Sequence, residues 1–146
     1  EISNFARPGR PCRHNLVYWQ YGEYLGLGPG AHSFWDGVRW SNQKLPQAYR
    51  QRLVQGEAPV DQTEAIPPEE RLDEAMMLGL RLNAGISVPA FQSRFDRDPR
   101  AVYGRVLQPF VDAGRLELNA AAIRLTPAGR ATANAVFAAV LRSGDS

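Results

Sequence analysis

Apolar and polar residues change their spacing several times along the chain, and each change marks a predicted element. The weak alternation from Glu1 to Phe5 predicts a strand, and Arg7-Pro8-Gly9-Arg10-Pro11 predicts a loop, because two prolines forbid regular hydrogen bonding. With Asn15 as N-cap, Leu16, Trp19 and Tyr24 would line the inner face of a short helix. Tyr24 to Gly28 reads as a short buried strand ending in a glycine turn. Asp36-Gly37, set between aromatic and β-branched residues from Ser33 to Trp40, is a strong hairpin signal. Leu45, Tyr49 and Leu53 recur at helical spacing, and Gly56 stands where a C-cap belongs.

Prolines 59, 67 and 68 make residues 58–68 linker-like, which divides the chain into 1–57, a linker, and 69–146. In the second region Pro68 opens a helix with Leu72, Met76 and Leu80 on one face, closed by Gly85. Ser87 caps a short helix through Phe95. Pro99 begins another, with Val102, Val106, Phe110 and Val111 facing inward before Gly114. Leu116 to Leu118 and Ile123 to Leu125 form a two-stranded wing around Asn119 to Ala122, and Thr126-Pro127 starts an alanine-rich helix that runs to about Arg142. The fold class is α+β, and helices followed by a wing predict a small, mainly α, winged-helix-like C-terminal domain.

At 146 residues and 44% apolar content the chain can bury a core in one or two small domains. No apolar run approaches the roughly 20 residues of a membrane span, and no basic leader precedes an apolar stretch. One cysteine makes no internal disulfide, which fits a reducing, cytoplasmic compartment. The net charge of +2 is unevenly shared: residues 1–60 carry seven Lys/Arg against four Asp/Glu, residues 61–146 ten against eleven. Positive potential therefore lies with the aromatic and histidine motifs, and it is almost all arginine, whose planar fork suits carboxylates and phosphates. A recognition helix from Pro99 to Ala113 would offer only Arg100 and Arg105 against Asp112, which argues against nucleic acid and leaves an intramolecular cover or a partner surface.

Several motifs stand in one order near the start: Glu1-Ile2-Ser3-Asn4-Phe5-Ala6-Arg7-Pro8-Gly9, Cys12-Arg13-His14-Asn15, Tyr18-Trp19, and Gly26-Leu27-Gly28-Pro29-Gly30-Ala31-His32-Ser33. Together they resemble the second half of the oxygen-independent coproporphyrinogen III oxidase-like radical SAM proteins, densely up to about Ser33 and more loosely afterwards. Within that family an HNxxYW motif, here His14 to Trp19, marks the haem-chaperone branch. The resemblance implies a C-terminal fragment comprising the closing strands and helices of a partial (β/α) barrel followed by the winged-helix-like domain. It implies haem bound for delivery to acceptor proteins, with S-adenosylmethionine and an iron–sulfur cluster held by a missing N-terminal half. A cluster of that type needs three thiolates and this chain has one cysteine, so the fragment alone is not expected to be an enzyme, and no catalytic residue is assigned. Two alternatives stay open: part of a coproporphyrinogen III oxidase, and a winged-helix module for nucleic acid or protein. An isolated barrel edge exposes unpaired backbone groups, so homodimerisation or poor order is expected for Glu1 to Gly30.

The resemblance selects His14 as the iron ligand, with Tyr18 and Trp19 as aromatic contacts to the macrocycle and Arg7, Arg10 or Arg13 as partners for propionates. The plain alternative is a loop histidine beside two core aromatics. Cys12 is a second candidate ligand, or an ordinary small side chain in a basic loop. Gly28, Gly30 and Ala31 are cofactor-lining by resemblance, and otherwise a tight strand-to-loop turn. His32 reads as a second ligand or acid/base group, or as a turn cap. Phe34, Trp35 and Trp40 read as a stacking platform or as cross-strand packing. The acids at 69, 70, 73 and 74 suit a helix N-terminus, and Met76-Met77 suits a core.

Overall fold

A computed structural model describes residues 4–141. They form two compact units, one of residues 1–21 with 72–146 and one of residues 22–71. This division differs from the sequence-based one, because the opening segment joins the C-terminal region rather than the residues that follow it. The expected strand from Glu1 to Phe5 lies partly outside the described residues, and Asn4 and Phe5 are not in a strand.

The 22–71 unit is built on the predicted hairpin. Strand β1 (His32–Trp35) pairs antiparallel with β2 (Val38–Asn42). The turn puts both Asp36 (φ 46°) and Gly37 (φ 72°) in the left-handed region, the requirement that Asp-Gly meets. Helix α2 (Pro46–Val54) follows, as predicted, and ends before Gly56. Strand β3 (Val60–Ala65) then pairs antiparallel with β2, so the stretch read as linker is the third strand of this sheet. The misreading has a physical cause: the prolines bracket the strand, where no ladder hydrogen bond is lost, rather than interrupting it. Tyr24 to Gly28 also departs from expectation. It makes a single antiparallel bridge, Tyr24 to Phe34, and Leu25 and Leu27 are 62% and 91% exposed. All strand pairing among the described residues is antiparallel.

The main apolar core belongs to the other unit. Helix α3 (Pro68–Gly79) buries Leu72, Ala75 and Met76, and Leu80 just beyond it is buried too. Strand β4 (Ile86–Ser87) leads into α4 (Val88–Phe95), whose N-cap is Ser87, as predicted. Helix α5 (Pro99–Asp112) starts on the Asp98 side chain, which accepts from the Arg100 amide and pairs with the Arg100 guanidinium at 2.7 Å. That hydrogen-bonded guanidinium holds the Asp98 carboxyl below its usual range. The inward face of α5 is rotated from the expected one: Tyr103 and Leu107 are fully buried, whereas Val102 is exposed and Val106, Phe110 and Val111 are half-buried. The Tyr103 hydroxyl donates to Asp73 at 2.6 Å, which lets the ring enter the core.

Strands β5 (Leu116–Leu118) and β6 (Ala122–Leu125) form the predicted hairpin, and the Asn119 side chain accepts from the Ala121 and Ala122 amides in its turn. Strand β4 adds to β6, so the sheet has three strands in the order β4-β6-β5 rather than two. The final helix is broken in two, α6 (Pro127–Arg130) and α7 (Ala133–Leu141), and Arg142 lies outside the described residues. At the break, the Gly129 carbonyl accepts from both the amide and the hydroxyl of Thr132, diverting the carbonyl from the helical ladder.

Candidate functional site

The histidine motif forms helix α1 (Arg13–Trp19), with Cys12 rather than Asn15 at the N-cap. Asn15 is one turn inside, where its side-chain amide donates to Asn4 Oδ1 at 2.9 Å and ties the preceding loop to the helix. Cys12 is exposed and contributes no capping hydrogen bond. His14 stands exposed on the first turn. Tyr18 is one turn on, and the four-residue offset brings its hydroxyl 2.9 Å from His14 Nε2, with the rings edge-on at 4.9 Å between centroids. Leu16 and Trp19 are half-buried. Among the described residues no group of three His, Cys, Asp or Glu side chains is arranged to hold a metal ion. What α1 offers is a single exposed imidazole backed by aromatic rings.

Two arginines from the C-terminal region hold this helix in place. Arg94 of α4 donates to the carbonyls of Gln20 (3.0 Å) and Tyr21 at the end of α1, and its guanidinium lies over the rings of Tyr21 and Phe95. The Gln20 carbonyl, at the C-cap, is one that a helix C-terminus leaves without an intrahelical partner, and a cation is a natural donor there. Tyr21, at φ 54° and 4% exposed, turns the chain sharply out of the helix, so the short α1 is closed on a buried aromatic residue. The Arg81 guanidinium lies over two rings, 5.6 Å from the Trp19 centroid and 4.8 Å from that of Phe137 on α7. Neither arginine stands out in the sequence. Arg94 lies 74 residues from Gln20, and only folding brings the two together.

In the 22–71 unit the glycine-rich loop is internally satisfied. The amides of Gly26, Gly28 and Gly30 donate to Ser33 Oγ, the Tyr49 hydroxyl and the Gln43 carbonyl, and that of Ala31 to the Gly28 carbonyl. The buried Asn42 side chain donates to the carbonyls of Gly26 and Gly28. A Cβ at Gly26 would lie 2.1 Å from the His32 carbonyl oxygen, so the chain crosses there only because the side chain is absent. Loop amides used in this way make no anion nest. His32 is exposed at the start of β1, opposite Ser41. Register places Trp35 and Trp40 on one face of the hairpin and buried Phe34 on the other, so the three rings do not make one platform.

Residues 66–132 match the family model described as the HemN C-terminal domain. The chain is 35% identical over 141 residues to the Heme chaperone HemW of Bacillus subtilis, covering 97% of this chain and 37% of that protein. It is 46% identical over 91 residues to the Heme chaperone HemW of Synechocystis, covering 60% of this chain and 22% of that one. The solved structure of Coproporphyrinogen III oxidase (HemN) from Escherichia coli, a radical SAM enzyme, shares the fold with a TM-score of 0.65 at 17% identity, over 96% of this chain and 36% of that one. The chain thus spans little more than a third of the length of these full-coverage relatives. A HemN C-terminal domain behind an HNxxYW helix, with relatives of this kind over nearly its whole length, makes the chain a C-terminal portion of a HemW/HemN-like protein.

Proposed function

We propose that this chain is the haem-binding portion of a radical SAM haem chaperone, which takes up haem and delivers it to acceptor proteins in the cytoplasm. The observation that carries the reading is the exposed imidazole of His14 on a short helix that the C-terminal region clamps through Arg81 and Arg94. Haem is the cargo. His14 supplies an axial nitrogen, Tyr18 and Trp19 border the macrocycle, and Arg13, at the start of the same helix, faces the propionates. Cys12 is the competing ligand. The radical SAM cluster does not belong to these residues: one cysteine cannot supply three thiolates, so S-adenosylmethionine and the cluster are assigned to the N-terminal half of the complete protein. Gly28, Gly30 and Ala31 would face that cofactor by close backbone approach rather than by donated hydrogen bonds. The apolar side chains of Leu25 and Leu27 beside them would pack on the N-terminal half or on a second copy of the chain. The arrangement of α3 to β6 is read as winged-helix-like, and its charge suits a protein surface better than a nucleic acid.

Titration with haem, followed by visible absorption, tests the ligand. Replacing His14 with Ala is expected to weaken binding on the order of a hundredfold and to remove the spectrum of ligated haem, whereas Cys12→Ala leaves both in place. Unchanged spectra in His14→Ala would sink the reading. A subtler variant reports on the nitrogen used. The Tyr18 hydroxyl occupies His14 Nε2, so Tyr18→Phe keeps the ring, removes the competitor and tightens haem binding roughly two- to fivefold if iron binds there. An unchanged midpoint would place iron on Nδ1.

A further inference from the structure

We infer that strand β3 is the site at which two copies of this chain join, edge to edge and antiparallel, across a two-fold axis at Thr63. The strand ends its sheet, whose order is β1-β2-β3. Its register sets Val38 opposite Ala65 and Trp40 opposite Thr63, and the Ile66 amide donates to the Gly37 carbonyl at 2.9 Å. Gly37 and Ile66 are thus a hydrogen-bonded pair, and bonded and non-bonded pairs alternate along an antiparallel ladder. The alternation directs the N–H and C=O of Glu64 to β2 and those of Thr63 and Ala65 to the outer edge, where among the described residues they have no partner. No lysine or proline stands between Val60 and Ala65 to blunt this edge, and every residue of the strand after Val60 is exposed.

The strand's own sequence selects a second copy and its register. Outward-facing groups must meet outward-facing groups, so the axis can pass through a residue but not between two. An axis at Glu64 would set two carboxylates opposite each other, and one at Gln62 would set Ala65 against Pro59, which has no N–H to donate. At Thr63 the strand opposes Thr63 to Thr63, Gln62 to Glu64 and Asp61 to Ala65, with no like charges face to face. Both acids are answered within their own chain: Arg39 pairs with Glu64 at 3.6 Å, and Gln43 Nε2 donates to Asp61 at 3.2 Å. Because Trp40 stands beside Thr63 on one face, the joined six-stranded sheet carries two Trp40 rings flanking a pair of threonines. One strand pair buries less than the roughly 1,200 Å² of a standard interface, so the dimer dissociates with a Kd on the order of 100 µM.

Sedimentation velocity of the full chain without haem, from about 10 µM to about 1 mM, should show a monomer passing into a dimer. Thr63→Lys keeps the backbone donor but sets like charges across the axis, and Thr63→Pro removes the outward N–H and no bond to β2. Each should weaken association roughly tenfold or more while the circular dichroism spectrum is kept. In a Cys12→Ala background, Thr63→Cys should form an intermolecular disulfide, since directly opposed residues of a bonded pair stand about 5.5 Å apart at Cα. Ala65→Cys should not, because its two copies would lie about 14 Å apart along the strands. A chain that remains monomeric at about 1 mM overturns the proposal and leaves the edge to an extended segment of another protein. A dimer insensitive to both Thr63→Lys and Thr63→Pro, or cross-linking of Ala65→Cys as fast as that of Thr63→Cys, also overturns it and moves the contact to another surface.

Discussion

Replacing Arg94 with Ala is expected to release the histidine helix from its support without unfolding the rest of the chain. Two charge-assisted hydrogen bonds to the carbonyls of Gln20 and Tyr21 disappear, together with the stacking on Tyr21 and Phe95. Such bonds contribute about 1.5–3 kcal/mol each when shielded from water, but the Arg94 side chain is exposed, so the combined loss is about 2 kcal/mol. Helix α1 has only seven residues, below the length at which a helix persists by itself in water, so its order depends on this attachment. Amide exchange across residues 13–21 should accelerate on the order of thirtyfold, and haem affinity should fall with it. The thermal unfolding midpoint of the remainder should move little. Unchanged exchange in α1 would show that the clamp does not hold it.

The second large effect lies in the core. Leu107 is fully buried on α5, and truncation to Ala leaves a cavity that the surrounding helices can only partly fill. The expected cost is about 3 kcal/mol, a substantial part of the 5–15 kcal/mol that stabilises a typical domain. Circular dichroism should record a fall of roughly 10 °C in the unfolding midpoint, and a shift under about 3 °C would contradict the packing described for α5. At temperatures where Leu107→Ala remains folded, haem binding should be close to that of the parent chain. Arg94→Ala and Leu107→Ala thus separate the support of the site from the stability of the domain. The first loses function while the fold persists, and the second loses stability while the site persists.

Much of the fold was legible because local rules happened to agree with tertiary demands. Asp36-Gly37 marks its hairpin because only residues tolerant of positive φ fit both turn positions. Ser87 and Thr126 announce helix starts through hydrogen bonds made within three residues of themselves. Where local rules compete with distant partners, the reading from sequence departs from the structure. Tyr103 enters the core although its hydroxyl has no sequence-local acceptor, because Asp73 supplies one from another helix. Residues 58–68 look like a linker by proline content, yet β2 offers Val60 to Ala65 a ladder.

The sequence by itself determined the chemistry available: one imidazole beside two aromatic rings, one thiol, many arginines, and too few cysteines for a cluster. These are properties of side-chain composition and order, and no folding changes them. Tertiary structure alone decided which of the arginines serve the motif. Arg7, Arg10 and Arg13 are adjacent in sequence, but the helix is held by Arg81 and Arg94, because a seven-residue helix must find its stabilising contacts outside itself. Tertiary structure also decided that the glycine loop turns its polar backbone inward, since Ser33 and Tyr49 reach its amides, and Asn42 its carbonyls, only once the hairpin and α2 have formed. Buried hydrogen-bonding groups must be paired, and which groups do the pairing is a property of the folded chain.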